Sequence, residues 1–332
     1  MMAATSRPAS FSELIRHHTS YLVNPLQWTS RHLDLVECRF QDVATTPSYN
    51  PPNHNSGMLS AQRSNQGTDV ESLAKNWNAI NKRCALFNIL VNDTRLFAGL
   101  CKGSPFYFQG RRVRRLANYV MFVYHERAID PAENRTPTPV GYLQYNSIHG
   151  ARRKLFEARP GPRGERNRPG GTLCRKRMQQ ITPEEWTEDA YFVCPLLALA
   201  QFEEQRRVES SPATFASRLL VTEVSDKEKI VLYEADITAE LLDGLKNPKE
   251  ADRPMNWPTV RRKEIPYQPY DTFPERMMAE LQTPAFSPLD RTSSIPDSSV
   301  PDMDGKTPRG QKRPHDAEED APCKQTRIFD TS

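Results

Sequence analysis

Along the chain, apolar residues recur at two spacings, and the alternation between them lays out the elements. Phe11, Leu14, Ile15, His18 and Leu22 fall three or four residues apart behind Ser10-Phe11-Ser12-Glu13, which has the form of a capping box. A helix is expected there, and LDLVECRF, residues 33–40, reads as a strand. Thr68-Asp69-Val70-Glu71 repeats the capping pattern. Val70, Leu73, Trp77, Ile80 and Cys84 continue from it as a narrow stripe, which predicts one helix with Trp77 in the core. YVMFVY, residues 119–124, is an unbroken β-branched and aromatic run suited to a strand covered on both faces. VGYLQY, residues 140–145, is its expected partner.

The second half is punctuated in the same way. Thr182-Pro183-Glu184-Glu185 has the form of a helix start, and LLALAQFEEQRR, residues 196–207, of a helix with a buried front and a wet back. SRLLVTEV (217–224) and KIVLYEADI (229–237) predict a hairpin across the short polar link 225–228. Thr238 is placed to cap AELLDGLKN, which stops at Asn247-Pro248. IPYQPY, residues 265–270, reads as extended, and Thr272-Phe273-Pro274-Glu275 opens a last helix presenting Phe273, Met277 and Leu281.

Composition sharpens this layout. Hydrophobic residues make up 37% of the 332, and the mean hydropathy is −0.70. Both values point to segregation, with one part of the chain forming a core and the rest polar. Residues 41–67 and 151–180 hold prolines and polar side chains with little to bury, so both read as mobile stretches within the fold. Residues 282–332, without any periodicity, read as a disordered tail, with Thr283, Ser287 and Thr307 each before a proline. The expected fold class is therefore α+β: one mixed α/β globular region over residues 1–281, carrying long flexible insertions and followed by that tail.

Charge changes the picture locally rather than in sum, since the net charge is only +4. Residues 152–177 carry ten cations (Arg152, Arg153, Lys154, Arg159, Arg163, Arg166, Arg168, Arg175, Lys176 and Arg177) against Glu157 and Glu165. Such an arginine–glycine segment attracts phosphate backbones through counterion release. Arg111, Arg112, Arg114 and Arg115 would extend that surface if the fold brings them near. In the tail, Lys306, Arg309, Lys312 and Arg313 precede an acidic spacer and then Lys324 and Arg327. That arrangement resembles a nuclear import signal, so an import carrier is the expected partner and the nucleus the expected compartment, with the cytoplasm as the alternative.

Few residues suggest reaction chemistry. The six cysteines are scattered without C-x-x-C spacing and read as free thiols. His17, His18, His32 and Cys38 match no structural zinc module, and solvent-edge histidines are the plainer reading. No apolar run approaches the length of a membrane span, and no phosphate loop, nucleophile elbow or dinucleotide fingerprint occurs. No cofactor is expected. The helix–strand–strand–helix order around residues 196–246 does match a metal-dependent nuclease core, with Glu223, Glu234 and Asp236 as its carboxylates. However, no lysine stands two positions after the second acid, so any such site is degenerate.

VLYEADITAELLDGLKNP followed by IPYQPYDTFPERM, with PLLALAQ and RLLVTEV before them, resembles a pattern of lineage-specific, uncharacterised proteins of filamentous fungi. The resemblance covers residues 193–281 and implies no catalytic residue and no cofactor. The resulting expectation is a nuclear, non-enzymatic regulatory or interaction protein that contacts nucleic acid through its basic segments. The alternatives are a divalent-metal-dependent nuclease-like protein and a cytosolic scaffold for an unknown ligand.

Overall fold

Long β-branched runs need partners for both backbone edges, and this chain supplies them in a mixed seven-stranded sheet. The computed structural model describes residues 10–19, 22–45, 60–93, 96–124, 138–206 and 213–282, all within one compact unit. The strands are β1 (Arg39–Asp42), β2 (Phe97–Lys102), β3 (Tyr107–Phe108), β4 (Arg111–Arg112), β5 (Val120–Tyr124), β6 (Val140–Gln144), β7 (Thr214–Thr222), β8 (Lys229–Thr238) and β9 (Thr259–Pro266). The main sheet runs β1-β9-β8-β7-β6-β5-β2, and β3 pairs with β4 in a separate two-stranded ribbon. Neighbours are antiparallel except β1 with β9 and β6 with β7.

The helices are α1 (Phe11–His17), α2 (Ser30–Leu35), α3 (Ser60–Lys75), α4 (Ala79–Phe87), α5 (Tyr145–Phe156), α6 (Arg168–Ile181), α7 (Val193–Arg206), α8 (Ala239–Lys246) and α9 (Phe273–Gln282). Side chains alternate across a strand, so β7 and β8 build two cores at once. Leu219, Val221, Val231 and Tyr233 face the layer holding α1, α2, α5, α7 and α8. Leu220, Ile230 and Leu232 face the opposite layer of α3, α4 and α9. The α+β expectation is met, with helices covering both faces of the sheet.

Several elements stand where the residue pattern puts them. Both halves of the Ser10–Glu13 capping box are made, the β7–β8 hairpin forms, and β5 pairs with β6. Thr238 Oγ1 accepts from Leu241 N at 3.2 Å, and Phe273, Met277 and Leu281 of α9 are buried. Other expectations are corrected. Residues 33–40 are not one strand but the end of α2 and the start of β1, with Glu37 in a left-handed turn between them (φ 57°). Thr68–Glu71 lies inside α3, which already begins at Ser60. Thr182 ends α6, its N–H donating to Met178 O, instead of starting a helix. The charged run TVRRKEIP forms β9, upstream of most of IPYQPY. Residues 151–180, expected to be mobile, form the rest of α5 and most of α6, joined by residues 157–167. Gln282 ends α9, and the rest of the expected tail lies outside the described residues, as does the 46–59 part of the other mobile stretch, whose ends belong to β1 and α3 instead.

The expected single helix through Trp77 is two. Asn76 Oδ1 accepts from Asn78 N at 2.9 Å, and Asn78 Oδ1 accepts from Ile80 N at 2.8 Å, so paired asparagines stop α3 and start α4. The turn throws Trp77 outward to 78% exposure and leaves Ile80 at 57%, so the stripe is not a core seam. Instead α4 sends its buried Lys82 back to α3, where Nζ donates to Leu73 O at 2.5 Å and Ala74 O at 3.1 Å. One ammonium thus caps the orphan carbonyls of the neighbouring helix.

Burial pushes the Lys82 pKa down to about 8. An unfolded lysine titrates near 10.4, so between these values the unfolded chain binds more protons and stability rises with pH. Relative to Lys82→Met, the native protein should gain roughly 2 kcal/mol of unfolding free energy between about pH 7.5 and about pH 9.5. Urea titrations at both pH values measure the difference, and a gap that does not move with pH would refute the assignment.

Candidate nucleic-acid interface

The 111–115 arginines sit on a loop that the backbone closes at its neck. Gly103 N donates to Tyr119 O at 3.0 Å and the Tyr119 hydroxyl donates to Ser104 O at 2.9 Å. A Cβ on Gly103 would lie 2.6 Å from the Tyr119 ring, so the neck requires glycine. At the tip, Gln109 and Gly110 both have positive φ (54° and 67°), the mirror-image two-residue turn that joins β3 to β4. The ribbon is pinned to α7 by Gln201, whose side chain pairs with both backbone groups of Tyr107 at 2.9 Å.

Arg111, Arg112, Arg114 and Arg115 are all exposed, and with Lys102 they line a concavity of about 790 Å³. No described carboxylate lines it, and none of the four arginines makes an ion pair with a described residue. Arg115 adopts φ 59°, a conformation that costs a side-chain-bearing residue about 1–2 kcal/mol.

The other basic residues lie on an arm made of α5, the 157–167 connection and α6. Arg153, Lys154, Arg159, Arg163, Arg166, Arg168, Arg175, Lys176 and Arg177 are exposed, and none pairs with a described acid. Helix α6 buries no residue and packs along α5, and Arg177 lies over the Phe156 ring at 5.8 Å. Ser147 Oγ of α5 donates to Gln144 O at 2.7 Å and lies 3.3 Å from Asn118 O. The base of the arginine loop and the root of the arm therefore meet.

Arg152 departs from this set. It is fully buried and pairs with Asp189 through Nη1 to Oδ2 (2.6 Å) and Nη2 to Oδ1 (2.8 Å). Its Nε donates to Leu26 O at 2.7 Å. Asp189 also accepts from Tyr145 OH at 3.0 Å and from Tyr191 N at 3.0 Å. Burial, aided by the Asp189 charge, raises the Tyr145 phenol well above its ordinary value and keeps it a donor. Arg152 is thus a structural clamp between α5, the 186–192 turns and the segment before α2, and it is withdrawn from the interface.

The acids of the nuclease-like reading have structural partners. Glu234 is buried between Arg218 (Nε to Oε1, 2.8 Å) and Lys263 (Nζ to Oε2, 2.9 Å). Burial alone would raise its carboxyl, but the two cations outweigh that and hold it below its ordinary value. Lys263 pairs in turn with Glu280 of α9 at 3.0 Å, and Arg218 Nη1 donates to Leu281 O at 2.5 Å. Asp236 is held by Arg261 Nη1 at 2.8 Å. Glu223 caps the β7–β8 turn, accepting from the N–H groups of Ser225 and Asp226 and from the Ser225 hydroxyl. Among the described residues, no group of three or more His, Cys, Asp and Glu is placed to hold a metal ion, and no helix is long and apolar enough to cross a membrane.

A second concavity adjoins the arginine loop. Its walls come from α1, the 22–28 segment, α2, the β3–β4 ribbon, Leu245 of α8 and Trp257, and they enclose about 360 Å³. The lining is mostly aliphatic and aromatic, with Trp28 edge-on to Phe106 at 6.3 Å and Phe11 tilted against Trp257 at 6.1 Å. His18 and His32, expected at the solvent edge, both contribute to this wall. His32 Nδ1 accepts from Thr29 N at 3.1 Å, and burial lowers its pKa. Cys38 lies buried outside the lining and donates to Pro258 O at 3.1 Å. No family model matches the chain, and a search of curated proteins finds no match.

The buried clamp predicts strong coupling. Arg152→Met leaves the Asp189 carboxylate buried without its cation and should cost about 3–5 kcal/mol of unfolding free energy. Arg152→Met combined with Asp189→Leu should cost clearly less than the sum of the two single changes. Chemical denaturation of the four proteins measures the cycle, and simple additivity would contradict the clamp.

Proposed function

We propose that this is a nuclear, non-enzymatic interaction protein that grips the phosphate backbone of nucleic acid without reading its sequence. The observation carrying this reading is a contrast between two populations of cations. On the sheet, Arg218, Arg261, Arg262 and Lys263 each contact a carboxylate, that of Glu234, Asp236, Asp42, and Glu234 with Glu280, respectively. On the arm and the adjacent loop, thirteen exposed cations have no described carboxylate partner. A surface that retains that many uncompensated cations has the electrostatic footprint of a polyanion site.

Helix formation gives the site more order than a flexible strip would have, because a clamped helix holds its cations at set spacings. Phe156 already lies under Arg177, which favours backbone attraction over base stacking. The tail cations Lys306, Arg309, Lys312, Arg313, Lys324 and Arg327 supply the nuclear part of the reading through their likeness to an import signal, with an import carrier as partner.

Two measurements test the proposal. Duplex DNA affinity should fall steeply with salt. Replacing Arg175, Lys176 and Arg177 by glutamine, or Arg111, Arg112, Arg114 and Arg115 likewise, should flatten the slope of log K against log salt by about 0.9 for each phosphate contact removed. Equal slopes for the native protein and both variants would overturn the interface. A reporter fused to the intact chain should concentrate in nuclei and spread to the cytoplasm when Lys312 and Arg313 become alanine. An unchanged distribution would overturn the targeting role.

A further inference from the structure

We infer that the apolar chamber and Arg114 together form a binding site for a small amphipathic monoanion, its apolar body in the chamber and its carboxylate on the guanidinium. This does not rest on the nucleic-acid reading. The volume of about 360 Å³ falls within the ~300–1,000 Å³ of small-molecule sites, and such sites combine an apolar lining with a few orienting polar groups.

The polar groups here are few and mostly committed. Asn24 Oδ1 accepts from Leu26 N at 3.0 Å, and its Nδ2 donates to Arg114 O at 2.8 Å. The Thr29 N–H and hydroxyl both engage His32 Nδ1, which ties that ring to the start of α2. Arg114 remains. Its backbone is fixed by Asn24, its side chain is exposed without a described ion pair, and it lines both the chamber and the basic concavity next to it.

Lysine, aspartate and glutamate are lacking from the described lining, so a single permanent charge serves the chamber. One guanidinium at the edge of an apolar cavity matches one carboxylate, which it can grip through two parallel hydrogen bonds. A nucleobase would leave its edge donors and acceptors unmatched against this wall, which disfavours a nucleotide here.

Straight-chain carboxylates added to the full-length protein below their micelle-forming concentration test the site. Trp28 and Trp257 line the chamber and report filling by fluorescence, with calorimetry giving affinity. From hexanoate to decanoate, affinity should rise about fourfold per methylene until the chamber is full. Arg114→Gln should weaken decanoate about tenfold while leaving decanol unchanged. Leu14→Trp, read by calorimetry, should abolish binding of both by occupying the space. Should Leu14→Trp not fold, the Arg114→Gln comparison of acid with alcohol decides alone. No binding, acid binding unaffected by Arg114→Gln, or association only with anionic vesicles would each overturn the proposal.

Discussion

The buried pair of Arg152 and Asp189 is the constraint on which the arrangement around the candidate sites depends. Two opposite charges out of contact with water are tolerable only when they are paired and further hydrogen-bonded, and here the partners come from three directions. Asp189 accepts from Arg152, Tyr145 and Tyr191, and Arg152 reaches on to Leu26. The partners lie on α5, on the short turns before α7 and on the segment leading to α2. Without the pair, those three pieces would share an apolar core but nothing would fix their angles. With it, the arm leaves the body in one direction, and the 22–28 segment stays put as a wall of the chamber.

A second ionic system works on the opposite face of the sheet. Arg218, Glu234, Lys263 and Glu280 link β7, β8, β9 and α9 in series. Apolar contacts alone would let α9 slide along its groove; alternating charges specify one register, because a shift by a turn would strand a buried carboxylate. Glu234, one of the acids that suggest a metal site as a list of residues, serves here to lock a helix onto a sheet.

The legibility of the sequence follows from what each residue has to satisfy. The β7–β8 hairpin, the β5–β6 pair, α7 and the caps at Ser10 and Thr238 were readable because local pattern and tertiary role agree. β9 was not, because a run with Arg261, Arg262, Lys263 and Glu264 looks solvated until its partners on other strands are known. α5 and α6 were hidden by their glycines, prolines and charges, and Arg152 within them was indistinguishable from its exposed neighbours. The stripe through Trp77 misled in the other direction: two asparagines ended the helix that the apolar spacing continued. The cations of the candidate interface were legible from composition, but the meeting of the loop's base with the arm's root was not, since it rests on the contact of Ser147 with Asn118. The chamber left no signal at all, because Leu14, Trp28, Phe108, Leu245 and Trp257 come together only in the fold.

Val113 and Arg114 form a partition with an oily room on one side and a cationic basin on the other. A movement of either residue would reshape both compartments. Were guests to occupy both compartments, any energetic advantage or penalty that one imposes on the other would be returned in equal measure. A small anion seated on Arg114 and a polyanion gripping that same guanidinium would be rivals for one cation.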